Sequence, residues 1–128
     1  NGTTFNQYVN DGIGFHMEPE VPLFYSRNCF GTADSISYYQ GILRISDLKT
    51  GISKVSFQQL MIYAALFCLE YGVRPFDIAR FELRIYQNDR IELYKPNGDE
   101  IAHVMDRIVS LDRLIEEPRT EDNYELHC

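Results

Sequence analysis

The sequence predicts an α/β domain, a mixed sheet of about four to five strands flanked by helices. Three observations carry that prediction. Two pairs of apolar runs each break at a tight-turn signal, Gln40-Gly41 and Asn88-Asp89, as hairpins do. Two longer segments, 57–71 and 100–116, repeat apolar residues at helical spacing. The chain, 128 residues with 45% hydrophobic content, is one domain in length and long enough to bury a core.

Each element follows in order. Phe5, Tyr8, Val9 and Gly12 share a helical face, predicting a short helix over 3–12 that Gly12 and Gly14 end. Residues 16–26 read as extended, and Pro19 and Pro22 place them at a sheet edge rather than its centre. Residues 29–40 and 42–50 form the first hairpin. Ser56 caps a helix with Phe57, Leu60, Met61, Ala64, Ala65 and Cys68 down one face, which stops at Gly72. The run 80–89 alternates strictly, Phe81, Leu83 and Ile85 against Glu82, Arg84 and Tyr86, and turns at Asn88-Asp89 into 90–99. Ile101, Val104, Met105, Ile108, Leu111, Leu114 and Ile115 then mark an amphipathic helix to about residue 116. Residues 117–128 are polar and interrupted by Pro118, which predicts a flexible tail.

Charge and cysteine usage narrow the function. The net charge of −7 argues against gripping nucleic acid over a broad basic surface, because neutralising phosphates needs Lys and Arg. It leaves room for a local groove, or for a site whose acids are covered by divalent cations. No apolar run is long enough to span a membrane, and residues 1–10 do not read as a signal peptide. Cys29, Cys68 and Cys128 are odd in number and lack C-x-x-C spacing, which argues against a disulfide framework or zinc knuckle and for a reducing, cytoplasmic compartment.

The first hairpin holds the chemistry. On a strand, residues two apart point the same way, so Asp47 and Lys49 share a face with Leu43 and Ile45. Counting out from Gln40-Gly41 sets Asp34 almost opposite Asp47. Two carboxylates that close repel and raise one pKa unless a cation lies between them. A hard divalent ion such as Mg²⁺ suits oxygen ligands, and the Lys49 ammonium could orient or deprotonate a water or balance phosphoryl charge. The plainer reading is an exposed ion-pair ladder at strand ends.

Gly31-Thr32-Ala33-Asp34, then Asp47-Leu48-Lys49-Thr50-Gly51 on a hydrophobic strand, then Gln59-Leu60-Met61-Ile62-Tyr63 on a helix, together resemble the PD-(D/E)XK nuclease superfamily and its RecB-like exonuclease branch. Each motif alone is weak; three in order and in context are fairly specific. The resemblance covers roughly residues 3–94. It implies a restriction-endonuclease-like core over 1–116 and a Mg²⁺-dependent DNA nuclease, an exonuclease by its branch, with Mn²⁺ substituting. Asp34, Asp47 and the Leu48 carbonyl would hold metal. Lys49 would position the water or stabilise the transition state. Gln59 and Tyr63, one turn apart, would flank the site, and Glu20 would support it.

The likeness has gaps. RecB-like enzymes carry a metal-binding His on an upstream helix, and His16, only 18 residues before Asp34, does not match it. The iron–sulfur cysteine spacing of some relatives is absent too. Gln59 and Tyr63 also read as a helix's polar edge and a core tyrosine, and Glu20 as a surface charge. Two other functions therefore stay open: a catalytically inactive interaction module of the same fold, or a nuclease acting on RNA or branched DNA. Because the core takes up nearly the whole chain, specificity would come from a protein partner or a homo-oligomer. Compactness also fits a phage protein acting in the host cytoplasm.

Overall fold

The computed structural model describes residues 2–51 and 56–122, with elements in the expected order. Helix α1 (Gly2–Gly14) precedes strands β1 (Glu18–Ser26), β2 (Cys29–Tyr39) and β3 (Ile42–Leu48). Helix α2 (Gln58–Tyr71) and a 3-10 turn (Pro75–Asp77) lead to β4 (Arg80–Gln87) and β5 (Arg90–Tyr94), and α3 (Gly98–Asp122) follows. The strands form one mixed sheet in sequence order. β1, β2 and β3 run antiparallel, β3 and β4 pair in parallel across α2, and β5 turns back on β4. The fold is α/β, as expected.

Turn chemistry sets the registers. Gln40 and Gly41 both take positive φ, 53° and 78°, the mirror-image turn that matches strand twist. Asn88 and Asp89 do the same at 50° and 64°. β1 is an edge strand, the place in a sheet where Pro19 and Pro22 are tolerated. Gly72, left-handed at φ 65°, ends α2. Asn97 and Glu100 exchange side-chain and backbone hydrogen bonds, at 2.8 and 2.9 Å, at the start of α3.

The core lies on one face of the sheet. Leu43, Ile45, Leu83 and Ile85 meet Leu60, Ala64 and Ala65 of α2 and Ile101 and Ile108 of α3, all buried. Ala64 and Ala65 add no bulk, so α2 approaches the strands closely.

Helix α1 covers the other face, where the strands are polar. Glu82 accepts from Arg44 Nε at 2.8 Å, Arg84 Nη2 at 2.8 Å and Arg80 Nε at 2.6 Å. Phe15 lies under the Arg44 and Arg84 guanidiniums, each 4.5 Å from its ring centre. Above them, the Tyr86 hydroxyl donates to Asp11 Oδ2 at 2.7 Å, and Tyr8 meets Tyr86 edge-on. This corrects the apolar face expected of α1: Phe5 and Val9 are 53% and 39% exposed, while Tyr8 and Asp11 turn inward. The sheet offers hydrogen bonds here rather than a greasy surface, and the helix rotates to meet them.

Three further expectations change. Leu111 and Leu114 lie on the open side of α3, 49% and 64% exposed, while Ile101, Ile108 and Ile115, seven residues apart, are buried. α3 continues to Asp122, past the expected end at 116; the tail from 123, with His127, lies outside the described residues. Cys68 is a buried free thiol, but Cys29 is disulfide-bonded, so the cysteine argument for a reducing compartment does not stand. Among the described residues, no helix is long and apolar enough to cross a membrane.

Candidate metal centre

The β2–β3 register brings the two acids together. Ser35 pairs with Ser46, and one step further out Asp34 stands opposite Asp47. The Leu48 N–H donates to Asp34 Oδ2 at 3.1 Å, so one acid is held by the backbone beside the other. Asp47 is 9% exposed, and its Oδ2 lies 2.8 Å from Lys49 Nζ. Lys49 in turn is anchored where its backbone N–H donates to the Tyr86 carbonyl at 2.9 Å, extending the β3–β4 ladder by one rung.

Electrostatics follow from that packing. Burial, then hydrogen bonding to the Asp47 carboxyl, pushes the Asp34 carboxyl up to about 6. The Leu48 N–H and the Lys49 charge pull back only in part. Lys49 is raised as well, which for an amine favours the charged form: its hydrogen bond to Asp47 outweighs the cost of burial. The result is two crowded carboxylates and one firmly protonated ammonium.

Tyr63 of α2 faces this group. Its hydroxyl is raised by burial, then by the charges of Asp47 and Asp34, with Lys49 opposing. A β-carbon at Gly31 would sit 2.7 Å from Tyr63 Cε1, closer than side chains tolerate. The first glycine of G-x-x-D and the tyrosine of Q-x-x-x-Y are thus one contact. Gln59 is exposed near the start of α2, one turn before Tyr63.

Glu20 falls between Pro19, paired with Ser35, and Val21, paired with Ala33, so it lies level with Asp34 across β1. It is exposed, with a left-handed backbone at φ 51°. Among the described residues, no group of three or more His, Cys, Asp and Glu side chains gathers. His16, just past the end of α1, lies tilted against Tyr39 with ring centres 4.5 Å apart, and His103 is exposed on α3.

One neighbour escaped the sequence reading. The Tyr8 hydroxyl donates to Ser35 Oγ at 3.2 Å, and its pKa is raised by burial and by Asp34, Asp47 and Glu20. Nothing in the pattern of α1 distinguished Tyr8 from a core tyrosine. Only the pairing of that helix with the polar sheet face puts its hydroxyl near three acids.

A family model described as "Protein of unknown function (DUF2800)" matches residues 17–117, which takes in every strand and leaves α1 before it. A search of curated proteins gives no match. Among solved structures, "Crystal structure of SSO0001" is similar at 18% identity and a TM-score of 0.41, over 85% of this chain and 57% of that one. The chain therefore spans little more than half of that protein's length.

Proposed function

Because the chain belongs to the DUF2800 family, whose function is unknown, we propose from its own site that it is a metal-dependent DNA nuclease with a restriction-endonuclease-like core. The observation that carries this reading is the convergence of Asp34 and Asp47 beside Lys49. Hydrophobic strands do not crowd two acids without cost: Asp34 is held protonated up to about pH 6 by its neighbour and by burial. A divalent cation fits such a donor set, since it removes the repulsion that raises that pKa.

Asp34 and Asp47, with the Leu48 carbonyl, would hold Mg²⁺ or Mn²⁺. When bound, the ion would supply Lewis acidity toward a phosphodiester and toward a water. The protein's own part is clearer. Lys49 stays an ammonium beside Asp47, so it donates to a phosphoryl oxygen or a water rather than removing a proton. Tyr63 closes one side, kept in place by the absence of a side chain at Gly31. Gln59, exposed one turn earlier, is free to touch the strand being cut. Tyr8 offers a hydroxyl from the opposite side through its contact with Ser35.

The test is cleavage of labelled linear and closed circular DNA under Mg²⁺ or Mn²⁺ titration. Wild type should cut, and Asp47→Ala and Lys49→Ala should each lose at least about a hundredfold in rate, the scale of removing a charge-stabilising group. Cutting of linear but not circular substrate would assign an exonuclease. Activity untouched by both substitutions, or absent with every metal, would overturn the reading. A second reading draws on the 2.8 Å Lys49–Asp47 ion pair, which balances Asp47 with no cation at all. In that case the domain is an inactive scaffold, and metals would leave its melting temperature unchanged.

A further inference from the structure

The face of β2 that carries Asp34 continues through Ile36 to Tyr38, since alternate residues share a side. Helix α2 lies along it, and Gln59, Tyr63, Phe67 and Tyr71 recur one turn apart down that helix. The acids and Tyr63 stand at one end of this track. At the other end, about 13 Å along the strand, lies a cavity of about 380 Å³. Leu23 and Ile36 line it with Tyr38, Tyr39, Phe67 and Tyr71. The rings brace one another: Tyr38 meets Phe67 edge-on at 5.3 Å, and Phe67 meets Tyr71 at 5.0 Å. Even so, Tyr38 and Tyr71 remain 43% and 56% exposed.

We infer that this cavity holds a nucleobase of a single-stranded segment whose backbone runs along the track to Asp34 and Asp47. Its size falls within the usual range of small-ligand pockets. Aromatic faces stack on any base and need no cation to do so, which suits a chain of net charge −7. Glu18 also lines the cavity. Its carboxylate would repel a phosphate but accept from a base's exocyclic amine, so the base is placed inside and the backbone outside. The nuclease reading supplies the choice of a nucleic acid as ligand; the cavity and its rings do not depend on it.

The experiment therefore avoids cleavage. A single-stranded oligonucleotide carrying one 2-aminopurine is titrated with the protein in EDTA, and the loss of 2-aminopurine fluorescence on stacking is followed. Wild type should quench it saturably. Tyr38→Ala and Tyr71→Ala should weaken binding about tenfold each, while Tyr38→Phe and Tyr71→Phe, which keep the ring, should bind like wild type. A strand with an abasic site in place of the 2-aminopurine, competing against the labelled one, should compete poorly. Equal binding by the alanine variants, or equal competition by the abasic strand, would overturn the assignment. Binding with this pattern in a protein that never cuts DNA would sustain the base pocket and remove only the nuclease reading.

Discussion

Two carboxylates in this protein are displaced in opposite directions, and each makes a prediction. Asp34 is crowded by burial and by Asp47, and its carboxyl is raised from 3.8 to about 6. Between those values the folded chain keeps a proton that the unfolded chain has lost. Stability of the metal-free protein should therefore fall as pH climbs from about 4 to about 6, by about 1–2 kcal/mol after allowing for the group's partial exposure. Asp34→Asn should abolish that decline in denaturant melts, and Mg²⁺ should stabilise wild type more at pH 8 than at pH 5. Glu82 is the reverse case. Burial would raise it, but hydrogen bonds from Arg84 and Arg44 bring it from 4.5 down to about 2. Its contribution is present above about pH 4.5 and is lost as pH falls toward 2. Glu82→Gln should cost about 3 kcal/mol at pH 7, and a pair of melts at pH 7 and pH 2.5 should show the deficit shrinking. At this scale the sequence was legible where strand alternation and a hairpin turn decide the outcome, as for Asp34, Asp47 and Lys49. It was silent on Tyr8 and on the Glu82 cluster, whose partners come from distant elements.

Between elements, the contact that joins the motifs is Gly31 of β2 against Tyr63 of α2. Gly31→Ala would drive a methyl group into the ring at 2.7 Å, and a half-buried tyrosine must swing aside to admit it. A cost of about 1–3 kcal/mol is expected from such overpacking. Removing the ring should remove the penalty, so Gly31→Ala should cost far less in a Tyr63→Ala background, a coupling that a double-mutant cycle of thermal melts measures. Element boundaries and order could be read from turns, caps and periodicity. Which way α1 faced could not. Phe5 and Val9 outweigh Tyr8 and Asp11 in any hydrophobic pattern, yet the surface beneath is built from Ser35, Tyr86 and the arginine cluster. An amphipathic pattern reports the partner only when the partner is apolar.

For the whole molecule, a mixed sheet was legible in the sequence, because a helix between two strands is the usual crossover of a parallel pair; that β4 joins β3 in particular was not, because no local feature names the neighbour. The same topology has a consequence in time. β3 pairs on one side with β2 across a two-residue turn, and on the other with β4, beyond the whole of α2. Short-range pairings close at little entropic cost, while a crossover must wait for its helix. The hairpin therefore has the opportunity to bring Asp34 and Asp47 together before Tyr63 or the Lys49–Tyr86 rung exists to restrain them. Part of the folding barrier would then be the meeting of two like charges, paid before any cover arrives. Stopped-flow refolding in EDTA should find Asp34→Asn faster than wild type at pH 8 and level with it at pH 4.5. The acid hairpin would thereby act as a brake on its own assembly, one that a divalent ion in the refolding buffer releases.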